Sequence, residues 1–224
     1  MVFSSIVFLF AFLPAVLFSY FVLAPNRVFK NYVLLIFSLL FYAWGGFRLV
    51  PLMLYSVVTN YFFGRMVTHT ATKRVWMIVA IVSNIGMLFY FKYVSFLTEN
   101  LHQLFPSFPL VDIVLPIGIS FYTFQGLSYV IDVYRESVPC EKNPANVALY
   151  IMLFPQLVAG PIVRYSTIAS EIKCRHESIC GVSAGFQRLL FGLGKKVLIA
   201  NQIGLLADTV FKQSEDYLST GLVW

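Results

Sequence analysis

The stretch VALYIMLFPQLVAGPIVR, residues 147–164, decides how this chain is threaded. It is uncharged up to Arg164, and at about 1.5 Å per helical residue it covers most of a hydrocarbon core about 30 Å thick. Yet it contains Pro155 and the pair Gly160-Pro161. Each proline removes a backbone donor and clashes with the preceding turn, so two in one run break a helix. Backbone groups freed in this way are tolerated at membrane depth only where protein or a water-filled cavity shields them. Charge points the same way. A full crossing would deliver Arg164, Lys173 and Arg175 to the outer side, against the excess of Lys and Arg that marks short inner loops. The stretch therefore reads as a broken, re-entrant segment that enters the bilayer and returns.

The surrounding sequence supplies the bilayer. Hydrophobic residues make up 59% of the 224 and charged residues 12%, with a mean hydropathy of +0.79, which leaves too little polar surface to coat a soluble globule. Earlier apolar runs lie at about Phe3–Ala24, Asn31–Trp44, Leu49–Phe63, Val75–Phe91 and Ile113–Ile131. The uncharged opening, Met1 to Asn26, exceeds the roughly 20 residues of a spanning helix. Arg27 and Lys30 follow that stretch, whereas a cleaved signal peptide carries its positive charge first. The second and third runs are short and must borrow flanking residues or lie in thinned bilayer. Gly45-Gly46 provides the tight connection between them, and Arg48 can snorkel to the headgroups.

Orientation follows from the basic residues. The first 98 residues contain seven Lys or Arg and no Asp or Glu. Arg27 and Lys30 mark one inner loop, and Arg65, Lys73 and Arg74 another, with Arg48 alone between them. Met1 is thereby expected outside. The run from Val75 returns outward to a segment holding Glu99, His102, Pro106 and Pro109, and Ile113–Ile131 comes back to Arg135 and Lys142. These charges punctuate apolar runs and form no contiguous basic face, so nucleic acid is excluded as a partner. In Gly181–Phe211, Arg188 and Lys195-Lys196 share one helical face, backed by Leu189, Leu190, Leu193 and Val197, and an interfacial amphipathic helix is expected, dipping inward from Val197. The expected fold class is all-α, a polytopic membrane protein with spanning, re-entrant and interfacial amphipathic helices.

Two segments place polar and helix-breaking residues inside apolar runs, which is costly in lipid. In LPIGISFYTFQ, residues 115–125, Ser120, Thr123 and Gln125 either line a hydrophilic passage or hydrogen-bond between helices. In residues 153–164, Pro155, Gln156, Gly160, Pro161 and Arg164 offer a broken backbone to a ligand or to neighbouring helices. Asp132 and Arg135, three apart, read as a structural latch on one helical face. His69, His102 and His176 all fall in polar connections and read as solvated. Cys140, Cys174 and Cys180 are three unpaired thiols without metal-ligand spacing, and His176 between the last two does not complete a four-ligand site. No catalytic residue and no metal site is assigned.

These segments also carry a resemblance. The opening MVFSS (1–5), FYAW (41–44), LPIGISFYTFQ (115–125), IDVYR (131–135) and FPQLVAGPI (154–162), in this order and spacing, resemble the membrane-bound O-acyltransferase family in its bacterial alginate O-acetyltransferase branch. The resemblance covers essentially the whole chain. It implies a multi-pass enzyme of the bacterial inner membrane, surrounded by the lipid bilayer, that passes an acetyl group from a cytoplasmic donor, acetyl-CoA, toward a polysaccharide hydroxyl outside. It further implies periplasmic polysaccharide acetylation proteins as partners, the polysaccharide acceptor reached indirectly, and no resident cofactor.

The resemblance also implies that residues 1–224 form the amino-terminal part of one domain whose catalytic histidine lies in a second half without counterpart here. Acyl transfer to an alcohol needs a base and a stabiliser of the developing oxyanion, so the chain alone is expected to be inactive. After the polar Gln213–Thr220 connection, residues 221–224 read as the onset of another apolar run, and truncation of a longer reading frame is expected. The alternatives are a transporter or channel, which the Pro- and Gly-broken segments suit but which predicts related halves that are not evident, and a non-catalytic membrane scaffold.

Overall fold

The structure is a computed structural model that describes residues 3–69, 71–111, 113–157 and 160–211, and its regular elements among these are all helical. Contacts divide the chain into two compact units, one built on Phe10–Arg175 and the other on Val2–Leu9 together with His176–Trp224.

The first unit begins within α1 (Phe8–Leu23), whose two ends are wound as π-helix. Helix α2 (Arg27–Gly46) starts where the Asn26 side chain accepts the Phe29 N–H at 3.0 Å, a cap that satisfies one of the orphan donors of the first turn. A 3₁₀ turn, Phe47–Leu49, joins it to α3 (Val50–His69). Each helix has 20 residues, about 30 Å, so both extend past the short apolar runs into their polar flanks. Helix α4 (Lys73–Leu104) is a single rod of 32 residues. It outruns the expected end at Phe91 because no proline intervenes before Pro106. Glu99 and His102 therefore ride on a helix, and His102 is no solvated loop residue: its Nδ1 lies 2.7 Å from the Phe108 carbonyl. The non-helical return runs back along α4, with the N–H of Ile113 donating to Ser95 Oγ at 3.1 Å.

Helix α5 (Ile119–Tyr134) starts six residues later than the apolar run suggests. Pro116 and Gly118 stand before the helix rather than interrupting it. Gly118 is left-handed at φ +76°, and a Cβ there would sit 2.8 Å from the Leu157 carbonyl oxygen. The helix forms the core of this unit: Tyr122, Tyr129 and Val130 are fully buried. Its approach to α3 is so close that a Cβ on Gly126 would meet Asn60 Nδ2 at 2.4 Å. Beneath this contact Asn60 and Asn84, both buried, exchange amide hydrogen bonds of 3.1 and 3.0 Å and tie α3 to α4.

The expected Asp132–Arg135 latch does not form. Arg135, at the C-cap of the helix, turns to solvent, while Asp132 Oδ2 is buried with no hydrogen-bond partner among the described residues.

The re-entrant segment is a helical hairpin. Helix α6 (Pro144–Met152) is capped by the Asn143 side chain, which accepts the Ala145 N–H at 2.9 Å. It breaks at Leu153 and resumes for one turn as α7 (Phe154–Leu157), and residues 160–164 are non-helical before α8 (Tyr165–Lys173). The freed N–H of Phe154 donates to Ser38 Oγ at 3.2 Å, about 17 Å along α2 from Arg27. The Phe154 ring sits edge-on to Phe12 at 5.4 Å. Tyr150 Oη donates to the Val163 carbonyl at 2.7 Å, joining the two arms. Arg27, the first residue of α2, then receives the end of the hairpin: its Nη1 and Nη2 donate to the carbonyls of Lys173 and Arg175, both at 2.8 Å. Both arms thus return to the end of the unit that carries Arg27.

In the second unit, α9 (Ile179–Phe211) is a 33-residue helix capped by Ser178 Oγ, with a π-helical turn at Lys195–Ala200. Helical structure runs through Val197, so the expected division there is absent, and none of its residues is buried. Its length and composition suit a full crossing. The same holds for Arg27–Thr68 and Lys73–Leu104, which makes three segments among the described residues able to span a membrane. The expected connection at 213–220 and the apolar onset at 221–224 lie outside the described residues.

Replacing Asn60 with Ala deprives Asn84 of its reciprocal partner and is expected to cost about 1 kcal/mol of stability, the scale of interhelical polar pairs in membranes. In a double-mutant cycle read by unfolding in detergent, Asn60→Ala and Asn84→Ala together are expected to cost less than the sum of the two, and strict additivity would refute the pairing.

Candidate functional site

Between α5 and α6 the chain runs Cys140-Glu141-Lys142-Asn143, and the burial of Glu141 organises everything around it. A buried carboxylate must be surrounded by donors. Its Oε1 accepts the backbone N–H groups of Lys142 at 3.0 Å and Asn143 at 3.1 Å, while Oε2 accepts Tyr165 Oη and the Lys173 ammonium, each at 3.0 Å. Burial pushes the Glu141 carboxyl up, but these donors together outweigh it and hold the group below the ordinary carboxylate range. Tyr165 is shifted the opposite way, first by burial and then by the facing carboxylate, and stays a protonated donor.

Around this clamp the rings of Tyr129 and Tyr165 meet edge-on at 4.9 Å, and those of Tyr150 and Tyr165 at 5.2 Å. The Glu141 N–H donates to Tyr129 Oη at 3.2 Å, Ser128 Oγ lies 3.0 Å from Tyr150 Oη, and Tyr61 Oη donates to the Lys142 carbonyl at 2.9 Å. Glu141 thus joins α5 to α8, while its loop is tied to α3 through Tyr61 and leads directly into α6.

Beside the clamp opens a cavity of about 210 Å³. Arg27 and Asn31 come from α2, Lys173 from the end of α8, and Asn143 and Asn146 from the start of α6, with Val28, Tyr32 and Ile172 among the apolar walls. Asn31 Nδ2 donates to the Ile172 carbonyl at 3.0 Å, and Arg175 donates to Asn31 Oδ1 at 2.8 Å and to Tyr20 Oη. Cations and amides line the cavity, and no general base or nucleophile is among its lining residues. The arrangement suits holding an anion rather than transforming one.

None of the residues proposed from sequence lines this cavity. Thr123 and Gln125, exposed by 1% and 0%, are in the core, and the Thr123 hydroxyl and both Gln125 amide atoms have no hydrogen-bond partner among the described residues. Ser120, one turn earlier, is half-buried. Gln156, on α7, donates to the Tyr150 carbonyl of α6 across the break at Leu153. Pro155, Gly160, Pro161 and Arg164 are exposed, and Gly160 adopts φ +116°. The two motifs do meet, at Gly118 against Leu157. The sequence reading passed over Glu141, Asn31, Tyr165, Asn60 and Asn84. A lone acidic residue among inner-loop cations, and isolated asparagines within apolar runs, were the available signals.

No family profile matches the chain, and no solved structure matches it. Curated relatives do. Over its whole length the chain is 39% identical to the probable alginate O-acetylase of Pseudomonas aeruginosa, of which it covers 44%, and 37% identical to that of Azotobacter vinelandii, of which it covers 46%. Over 96% of its length it is 32% identical to the peptidoglycan O-acetyltransferase of Helicobacter pylori, covering 47% of that protein. The chain spans less than half the length of these relatives.

The Glu141 clamp makes a signed prediction. A carboxyl held low in the fold stabilises it above its unfolded pKa, and that contribution is lost as pH falls through the folded value. The thermal midpoint is expected to drop on acidification below the ordinary carboxylate range, and Glu141→Gln should start lower at neutral pH and flatten that slope in differential scanning fluorimetry.

Proposed function

We propose that the chain, which matches alginate O-acetylases along its whole length, belongs to the membrane-bound O-acyltransferase family and forms the amino-terminal part of a membrane O-acetyltransferase that esterifies an exported polysaccharide. The match to alginate O-acetylases along its whole length is the observation that carries this reading. The acetyl group passes from the thioester of acetyl-CoA to a sugar hydroxyl: a base takes the hydroxyl proton as the C–O bond forms and hands it to the sulfur as the C–S bond breaks, so the donor leaves as the free thiol. The likeness to alginate O-acetylases favours alginate as the polysaccharide, acetylated with the help of periplasmic acetylation proteins. The base belongs to the part of the relatives that this chain does not cover.

The role of these residues is then to hold the helices and to form one wall of the acyl passage. Thr123 and Gln125 are its lining, because buried polar groups without protein partners suit a polar path better than a sealed core, and the half-buried Ser120 one turn earlier extends it. The hairpin residues Pro155, Gln156, Gly160, Pro161 and Arg164 form its rim. We place the end carrying Arg27, Lys142, Lys173 and Arg175 in the cytoplasm of a bacterial inner membrane, with the amino-terminus outside, since that orientation puts the clustered cations inside.

Two measurements test this. Co-production of the chain with the remaining part of an alginate O-acetylase, followed by assay of acetyl esters on polysaccharide, is expected to give activity that neither part gives alone; robust activity from the 224 residues by themselves would overturn it. In a variant whose only cysteine is the exposed Cys174, a membrane-impermeant maleimide is expected to label inside-out vesicles and spare intact cells.

A further inference from the structure

We infer that the cavity between α2, α6 and α8 is a site for the phosphate headgroup of an anionic phospholipid. The site is built from side chains with hydrogen-bonding capacity to spare. Arg27 uses one hydrogen from each Nη on the carbonyls of Lys173 and Arg175, and a guanidinium has five N–H donors, so three remain. Lys173 spends one of its three on Glu141. Glu141 beside the cavity is buried and offsets the charge of Lys173, which leaves Arg27, hydrogen-bonded only to carbonyls, to carry the positive charge of the lining. Asn143 and Asn146 line the opposite side, where the first turn of α6 adds its positive dipole end.

Position selects a lipid over a soluble anion. Arg27 opens a helix long enough to span the hydrocarbon core, so the cavity lies at headgroup depth. Val28 and Tyr32 line it while remaining 59% and 45% exposed, and Phe29 beside them is 57% exposed, which provides an apolar surface for acyl chains leaving the phosphate. At about 210 Å³ the cavity falls below the roughly 300 Å³ at which pockets for drug-sized ligands begin, too small for a whole nucleotide and suited to a phosphoglycerol group.

The test is lipid retention by the full chain in nanodiscs containing phosphatidylglycerol and phosphatidylcholine, read by native mass spectrometry. Phosphatidylglycerol is expected to be retained about tenfold over phosphatidylcholine, a difference of about 1.4 kcal/mol. Equal retention of the two by the unmodified chain overturns the proposal without any variant. Asn146→Asp puts a carboxylate into the cavity at a first-turn position where an acid suits the helix dipole, so the fold is expected to hold while the preference disappears. Asn146→Gln should keep the preference. Persistence of the preference in Asn146→Asp at an unchanged thermal midpoint would overturn the site, and displacement of phosphatidylglycerol by inorganic phosphate would overturn its assignment to a lipid.

Discussion

The contact on which the first unit depends is the one between Gly126 and Asn60. With no Cβ at Gly126, the amide of Asn60 can lie against the backbone of α5 and still reach Asn84 on α4. Three helices are brought together around one pair of side chains. In lipid, apolar burial does little to choose between helix partners, because the surrounding chains are as apolar as the side chains themselves. Small residues and paired amides therefore carry the specificity. Gly64 repeats the device one turn along α3, where a Cβ would meet the Tyr129 ring at 2.7 Å. Tyr129 in turn accepts the N–H of Glu141, so the helix junction and the carboxylate clamp share a residue.

From that junction the hairpin follows. A chain that leaves α5 at Tyr134 and must turn back beside it needs a fixed point, and Glu141 supplies one by accepting donors from its own loop, from Tyr165 and from Lys173. The outward arm is short because Leu153 breaks the helix, and the backbone donor released there is taken by Ser38 rather than left in an apolar core. The return arm is held by Tyr150 Oη on the Val163 carbonyl. The break at Leu153 thus has a named partner, and such satisfaction is the condition under which irregular chain can exist at membrane depth.

Much of this was legible before any coordinates. Pro155, Gly160-Pro161 and the stranded cations Arg164, Lys173 and Arg175 identified a segment that returns, and the structure brings Lys173 and Arg175 to Arg27. Where the reading failed, it treated apolar length as helix length. Helix α4 continues to Leu104 because polar residues such as Ser95 and Thr98 are compatible with a helix once no proline stops it, and Thr98 is even buried by the returning loop. Helix α5 starts late because Pro116 and the left-handed Gly118 form its entrance. The Asp132–Arg135 pair was expected from spacing alone, and spacing brings two residues within reach without choosing between burial for Asp132 and solvent for Arg135. The cavity was not legible at all, since its residues lie at 27–32, 143–146 and 172–173, the first group more than a hundred positions from the others, and no periodicity connects them.

The same reasoning explains why the residues most tempting in the sequence are not the ones that hold the structure together. Ser38, Asn60, Asn84 and Glu141 are buried polar groups with good partners, and each ties together segments far apart in the chain. Thr123 and Gln125 are buried to the same degree without partners, which makes them a liability to stability on their own. A fold that satisfies a mid-membrane break with a single serine has the means to satisfy these as well. They stand on the central helix within about one and a half turns of Ser128, which holds Tyr150 of the hairpin, and the proposed acyl passage gives them a role that stability does not. On that proposal, stability and passage fall to different polar residues of the same helix bundle.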